Sequence, residues 1–204
     1  MLTLFAAPGT CSLATAIALE EAGASYELYK VDFAAGEQRR PEFLAKNPKG
    51  RVPALTTDQG ILSENVAILA YIAQIFPEAH LAPRDPFHFA EMQALNAYFA
   101  STVHVNHAHR VRWYRWSDDE AAGKTMQAKV PQTMNECFSV IENHMFKGPW
   151  VMGQQFTTAD GYLFIFEGWA AKDGVDLADY PRIQDHQKRM SERPAVKAAL
   201  AKHG

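Results

Sequence analysis

A cysteine near the start of the chain is the first residue whose type and position could do chemistry. Cys11 follows the turn-forming pair Pro8-Gly9 and precedes an apolar run with helical spacing. Unpaired N–H groups and the positive end of a helix dipole stabilise a thiolate, so a pKa below the usual value of about 8.5 is predicted for Cys11. The alternative is a buried, unreactive thiol, because free cysteines are among the most buried residues. Position alone leaves both interpretations open.

Two further segments carry groups suited to a peptide-like ligand. Val52-Pro53 stands between a turn and a strand, where a cis peptide bond would present the Val52 backbone to a ligand, although a trans proline is commoner. Ser63, Glu64 and Asn65 precede an apolar helical pattern. Free amides at that helix start would receive a carboxylate, and Glu64 an ammonium group. Helix capping alone would explain Ser63, and we favour that interpretation.

Residues 104–116, HVNHAHRVRWYRW, combine histidines, arginines and aromatic rings. A metal site is disfavoured, because His109 points away from His104 on a helix and no nearby acid completes a ligand set. Single-stranded nucleic acid would suit arginines beside aromatic rings, but the overall acidity of the chain argues against it. We favour a helix that lines an electrophile cleft, with arginines attracting an anionic substrate, although a structural helix would show the same residues. The predicted lining residues are His107, Arg110, Trp113 and Tyr114, with Trp116 as a further apolar wall.

Composition limits the class of protein. The chain has 204 residues, of which 48% are hydrophobic and 21% are charged, with a formal net charge of -3. This is ordinary globular composition, with no global charge that would favour nucleic acid or an anionic membrane. Two cysteines cannot build a disulfide framework or a cysteine zinc site. No apolar run is long enough to span a bilayer, and Pro8-Gly9 interrupts the first one too early for a secretory signal. We therefore expect a soluble, cytoplasmic protein.

The order of predicted elements indicates two unlike domains. Residues 2–6 and 26–33 have the character of strands, with a helix ending at Gly23 between them, which predicts a parallel β-α-β unit. A short helix, a hairpin over residues 52–62 and a helix that ends near Pro77 complete a first domain over residues 1–77. Residues 78–87 are rich in proline and predict a linker.

The second domain, residues 88–204, shows helical patterns only. An apolar stripe runs from Met126 to Met145 and includes Cys137, which is predicted to be core. Pro131 interrupts the stripe and predicts a kink or a break. The other predicted helices cover residues 87–116, 158–172, 181–193 and 195–202.

Four motifs in register carry a resemblance to a known family. PGTCSL, NPKGRVPAL and LSENVAILAYIA, followed by GPWVMGQQFTTADGYLF at residues 148–164, resemble the cytosolic glutathione transferases, and the bacterial beta class most of all. The resemblance covers the whole chain. It implies a thioredoxin-like first domain, an all-helical second domain, a homodimer, and glutathione as co-substrate. Thr157 and Asp160 have the spacing of a capping box for a core helix.

The resemblance also implies roles for particular residues. Cys11, with Ser12 beside it, would face the glutathione sulfur, and His104 would approach the same point from the second domain. The remaining glutathione contacts would be Val52 and Pro53 for the cysteinyl part, Glu64 and Asn65 for the γ-glutamyl end, and Arg39 or Arg51 for the glycyl carboxylate.

Two departures from the beta class bear on activity. Ala6 stands where a tyrosine is usual, and Val105 stands where a basic residue is usual. The implied reaction is attack of the glutathione thiolate on a small hydrophobic electrophile in an adjacent apolar cleft. Two alternatives remain open. Cys11 itself would perform thiol exchange or peroxide reduction through a mixed disulfide, or the protein would be a non-catalytic ligand-binding or interaction module of the same fold.

Overall fold

A four-stranded mixed sheet forms the first part of the chain in the computed structural model, which describes residues 1–204. The strands are β1 (Leu2–Ala6), β2 (Tyr26–Lys30), β3 (Ala54–Thr56) and β4 (Ile61–Ser63). Their order in the sheet is β2-β1-β3-β4. The pair β1 and β2 is parallel, as predicted, whereas β3 runs antiparallel to both β1 and β4.

Three helices accompany the sheet: α1 (Ser12–Glu21), α2 (Pro41–Leu44) and α3 (Asn65–Ile75). Helix α3 begins later than the serine cap predicted, because Ser63 is the last residue of β4 and Glu64 occupies the N-cap position. Glu64 has a φ angle of 77°, which a non-glycine residue adopts rarely. The Ser63 capping prediction is therefore wrong.

Six α-helices follow, namely α4 (Pro86–Tyr98), α5 (His104–Arg112), α6 (Glu120–Val140), α7 (Thr158–Trp169), α8 (Pro181–Glu192) and α9 (Pro194–His203). Helix α4 begins inside the predicted linker, because the Asp85 side chain caps it by accepting from the backbone N–H of His88 at 2.9 Å. Pro131 lies inside α6 without ending it. None of these helices is both long and apolar enough to cross a lipid bilayer.

The predicted long helix over residues 87–116 is interrupted twice. A π-turn, Phe99–Val103, separates α4 from α5, and a 3₁₀ turn, Trp113–Arg115, follows α5. The side chains of Phe99 and Val103 are fully buried, so the π-turn belongs to the core. These two changes of helical pitch decide which side chains of α5 face the sheet.

One apolar core joins the two parts of the chain. Buried side chains of β1, α1 and α3 form a single cluster with those of α4, α6 and α7. Gly161 on α7 permits close packing against α1, since a Cβ there would lie 3.3 Å from Ile17. The capping box of α7 is present, with the Thr157 N–H donating to Asp160 Oδ2 at 2.7 Å. The thioredoxin-like sheet followed by a helical part confirms the predicted fold class.

Candidate active site

A cleft of about 440 Å³ lies where the sheet meets α5. One wall comes from the start of α1, the loop before β3 and the start of α3, and the other from α5 and the turn after it. Most of the predicted site residues line it, namely Cys11, Arg39, Arg51, Val52, Pro53, Glu64, Asn65, His104, His107 and Tyr114. Ser12, Arg110 and Trp113 do not.

Cys11 occupies the N-cap position of α1 with only 9% of its surface exposed. Its Sγ lies 3.7 Å from the Val52 carbonyl oxygen, to which the thiol donates. Burial raises the pKa of the Cys11 thiol to about 12, and the positive charge of Arg112 only partly opposes this. The predicted lowering of the Cys11 pKa is therefore wrong: desolvation outweighs the helix start, and the thiol is protonated at neutral pH.

Asn65 holds the start of α1 in place. Its side-chain amide donates to the Cys11 carbonyl at 2.9 Å and accepts from the Thr15 hydroxyl at 2.8 Å. Both ends of the Asn65 side chain are thus committed to positioning Cys11. Glu64, beside it, is exposed and pairs with Lys49 at 2.6 Å.

The Val52-Pro53 peptide bond is cis, which decides between the two arrangements that the sequence left open. The Asn47 side chain steadies this loop by donating to the Arg51 carbonyl at 2.7 Å. The N–H of Val52 donates to no other group of the chain. Val52, a residue of the cleft wall, therefore has an unpaired backbone N–H and a carbonyl whose partner is the Cys11 thiol.

Ser12 was predicted among the glutathione contacts, but its side chain faces the interior and does not line the cleft. Its fully buried hydroxyl is within hydrogen-bond distance of Thr10 Oγ1 at 2.7 Å and of His203 Nε2 at 2.8 Å, and it accepts from the Ala7 N–H at 3.2 Å. Because Ser12 is the first helical residue, its side chain points away from that of its neighbour Cys11. His203, the last residue of α9, thereby supports the active-site loop, and no sequence pattern signalled this role.

His104 and Arg112 form a pair on α5. Arg112 Nη2 donates to His104 Nε2 at 3.4 Å. Burial lowers the pKa of His104 to about 3, and the adjacent Arg112 lowers it further, so the ring is neutral. The positive charge near Cys11 thus comes from Arg112. Arg112 was not among the predicted site residues, although it belongs to the basic and aromatic segment of residues 104–116 that the sequence singled out.

Two predicted cleft residues on the same segment lie elsewhere. Arg110 Nε bonds to the buried carboxylate of Asp173 at 2.8 Å, and Trp113 packs over Gly123, where a Cβ would fall 2.3 Å from the indole ring. Placing both in the cleft was wrong: Asp173 holds the Arg110 side chain away from it, and Trp113 belongs to the tighter turn that begins after α5 ends at Arg112. Arg112, Arg115 and Trp116 of the same segment do line the cleft.

His107 reaches the cleft from a buried network. Its Nδ1 lies 2.7 Å from Asp173 Oδ2, and its ring stacks on Trp169 at 3.9 Å between centroids. Its position is fixed by packing and by one ion pair. No group of three or more His, Cys, Asp or Glu side chains is arranged to hold a metal ion.

A phenol enters the cleft from the helical part of the chain. Tyr162 on α7 lines it and is almost fully buried. Burial raises the pKa of Tyr162, and the nearby Cys11 raises it further, so the hydroxyl stays protonated. Ala6, by contrast, is buried in the core without a polar group. The hydroxyl expected from the first strand is therefore missing there, while Tyr162 supplies another near Cys11.

Comparison with known proteins connects this arrangement to one family. The family model described as "Glutathione S-transferase, N-terminal domain" matches residues 1–74, and "Glutathione S-transferase, C-terminal domain" matches residues 106–203. The chain is 34% identical to the glutathione S-transferase GstA of Escherichia coli O157:H7, over 98% of each chain.

Solved structures show the same likeness. A glutathione transferase homolog from Sulfitobacter, with bound glutathione, is 46% identical, with a TM-score of 0.96 and coverage of 99% of this chain and 98% of that one. The beta class glutathione S-transferase of Sphingomonas chungbukensis is 36% identical, with a TM-score of 0.85 and the same coverage of both chains.

Proposed function

Because the chain belongs to the cytosolic glutathione S-transferase family, we propose that it binds glutathione as co-substrate and joins the glutathione sulfur to small electrophilic molecules. The observation that carries the proposal is the cleft itself, which is lined by Cys11 with its protonated thiol, by Val52 with its unpaired N–H and by Arg112. A glutathione thiolate beside Cys11 and Arg112 would receive one hydrogen bond and one positive charge, while the Val52 N–H pairs with the peptide backbone of the ligand.

Glutathione binding uses both ends of the tripeptide. The backbone N–H and C=O of Val52 pair with the cysteinyl residue, so the Cys11 thiol gives up its contact with the Val52 carbonyl and turns to the incoming sulfur. The free amides at the start of α3 receive the γ-glutamyl carboxylate, while Glu64 exchanges Lys49 for the ammonium group. Arg39 or Arg51 receives the glycyl carboxylate.

Positive charge activates the glutathione sulfur, which is the nucleophile in this proposal. Cys11 does not attack the electrophile. Arg112 favours the glutathione thiolate electrostatically, and the neutral His104 ring orients Arg112 by accepting its N–H. Lowering the pKa of the glutathione thiol by about two units would convert a thiolate fraction of a few per cent at pH 7 into a majority. The thiolate then attacks the electrophilic carbon, a C–S bond forms, and the leaving group departs with its electron pair.

Two measurements test this proposal. Wild-type protein should be retained on immobilised glutathione and should conjugate 1-chloro-2,4-dinitrobenzene. Arg112→Gln should lower kcat/KM at pH 7 by about threefold if the guanidinium accounts for about one of these two units, because the thiolate fraction would then fall from about three quarters to about one quarter. Arg84→Gln, which removes an exposed arginine outside the cleft, is the matched control and should retain wild-type turnover. Retention on glutathione without turnover would contradict the proposal and favour the non-catalytic module.

Thiol exchange through Cys11 is a second candidate, supported by the position of that thiol on the cleft wall. The reaction forms a Cys11–glutathione disulfide and releases one reduced glutathione from oxidised glutathione. Intact mass after incubation with oxidised glutathione would show the adduct in wild type and not in Cys11→Ala. Retained conjugation in Cys11→Ala would assign conjugation to the glutathione sulfur, whereas loss of both reactions would assign both to Cys11.

A homodimer and a cytoplasmic location complete the proposal. Exposed apolar side chains at Ile61, Ile75 and Phe87, on β4, α3 and α4, supply surface that a second copy would cover. Sedimentation velocity should give twice the monomer mass of 22.8 kDa. A monomer at micromolar concentration would contradict the dimer without affecting the proposed chemistry.

A further inference from the structure

The cleft carries positive charge that its own acidic groups do not balance. Arg39, Arg51, Arg112 and Arg115 line it, and the only carboxylate on its wall is Glu64. Lys49 already neutralises that carboxylate at 2.6 Å. The chain as a whole has a net charge of -3, so these four guanidinium groups are a local concentration of cations and not a consequence of basic composition.

Arginines elsewhere in the chain show the contrast. Three of the six arginines outside the cleft, namely Arg110, Arg189 and Arg193, pair with a carboxylate at 2.8 Å or less, whereas none of the four cleft arginines forms an ion pair. Burial lowers the pKa of Arg115, and the charges of Arg51 and Arg39 lower it further. The unpaired cations therefore repel one another, and an anionic ligand would relieve that repulsion.

Bound glutathione would pair with only some of the four cleft arginines. In the proposed binding mode its thiolate lies beside Arg112, and its glycyl carboxylate takes Arg39 or Arg51. Arg115 remains, together with whichever of Arg39 and Arg51 the glycyl carboxylate does not take. Arg115 lies on the turn after α5, and its sequence neighbours Tyr114 and Trp116 are exposed and line the cleft with it. This is the side of the cleft that an electrophile would enter.

We propose that the second substrate is an electrophile that carries a carboxylate, with its apolar part against Tyr114 and Trp116 and its carboxylate on Arg115. This inference rests on the proposed function and narrows its substrate class from hydrophobic to anionic electrophiles. With an aryl chloride, the thiolate sulfur forms a bond to the ring carbon, the C–Cl bond breaks, and chloride leaves with the bonding electrons.

The test compares 4-chloro-3-nitrobenzoate with 4-chloro-3-nitrobenzamide, which share the ring and the leaving group but differ in charge. Each kcat/KM is divided by the rate of the uncatalysed reaction with glutathione. We expect this ratio to favour the carboxylate by about fivefold, the scale of one partly exposed ion pair. Arg115→Gln should abolish most of the preference, Arg115→Lys should keep part of it, and the exposed Arg84→Gln should leave it unchanged. An equal ratio for the two compounds, or an equal loss for both in Arg115→Gln, would overturn the inference while conjugation stands.

Binding of the two products separates this inference from the proposed function. Calorimetry with the S-aryl glutathione conjugates of both compounds needs no turnover. Tighter binding of the carboxylate conjugate, weakened by Arg115→Gln and by added salt, supports the inference even if neither compound is conjugated by the protein. Equal affinity of the two conjugates overturns it.

Discussion

The rate of Cys11 alkylation as a function of pH measures the pKa of the thiol, which burial raises and the helix start lowers. Raising the thiol pKa from 9.0 to about 12 lowers the thiolate fraction at pH 7 by about a thousandfold. A more basic thiolate is also more nucleophilic, and a Brønsted coefficient of about 0.4–0.5 returns a factor of about 20 over the same interval. Cys11 should therefore react about 50-fold more slowly with iodoacetamide at pH 7 than an ordinary thiol, before any loss of access is counted.

The assay follows the mass of the Cys11 peptide from pH 6 to 10.5, with Cys11→Ala reporting the background from the buried Cys137. The pH profile separates ionisation from access, since a high pKa makes the rate rise to the end of the range, whereas poor access alone lowers the whole curve. Arg112→Gln should slow the reaction further, because it removes the largest charge that favours the thiolate. A rate that levels off below pH 9 would refute a pKa raised by burial and would instead support a thiolate stabilised by the helix start.

Three further predictions concern the support of the site. Asp173→Ala should lower the free energy of unfolding by about 3 kcal/mol in urea, because it strips a buried carboxylate from a histidine and an arginine, whereas the exposed Asp118→Ala should leave the midpoint unchanged. Burial opposes the charged form of His186, but two carboxylates on α7 raise its pKa to about 10. The stability that the charged ring contributes is complete below about pH 6.5 and is lost as pH rises through 10. The difference in unfolding free energy between wild type and His186→Gln should therefore narrow between pH 6 and 9.5, and a constant difference would contradict the pairing. His203→Ala should lower the free energy of unfolding by about 1 kcal/mol at pH 7, because the hydrogen bond to Ser12 is lost. Burial lowers the pKa of His203 to about 4, so this contribution to stability is present above about pH 6.5 and is lost as pH falls through 4. Urea denaturation at pH 7 and at pH 4.5 would measure the difference.

The sequence alone predicts what depends on local order along the chain. The β-α-β unit, the capping box at Thr157 and the cysteine beside a helix start are encoded within a few neighbouring residues each, so pattern and spacing identify them. The resemblance then brings Cys11, Val52 and Glu64 to one place, where the cleft contains them.

The parts that the sequence did not predict depend on burial and on helical phase. The ionisation of Cys11 was predicted with the wrong sign because a pattern shows the helix dipole and not the desolvation of a thiol. Trp113 was assigned to the cleft by reading one continuous helix through a segment that changes pitch after Arg112. Arg110 was assigned there because its partner, Asp173, is distant in the sequence. The contact of Ser12 with His203 joins residues 191 positions apart, which no local pattern encodes.

The π-turn before α5 determines which side chains of α5 face the cleft. A π-turn accommodates one residue more than an α-turn, and each residue advances an α-helix by about 100°. His104 and Arg112 therefore owe their direction to the number of residues in Phe99–Val103 rather than to any contact of their own. Shortening this segment by a single residue would turn His104 and Arg112 by about 100° about the axis of α5 and take both out of the cleft wall. The composition of this wall therefore depends on the length of the segment as well as on the residues of α5.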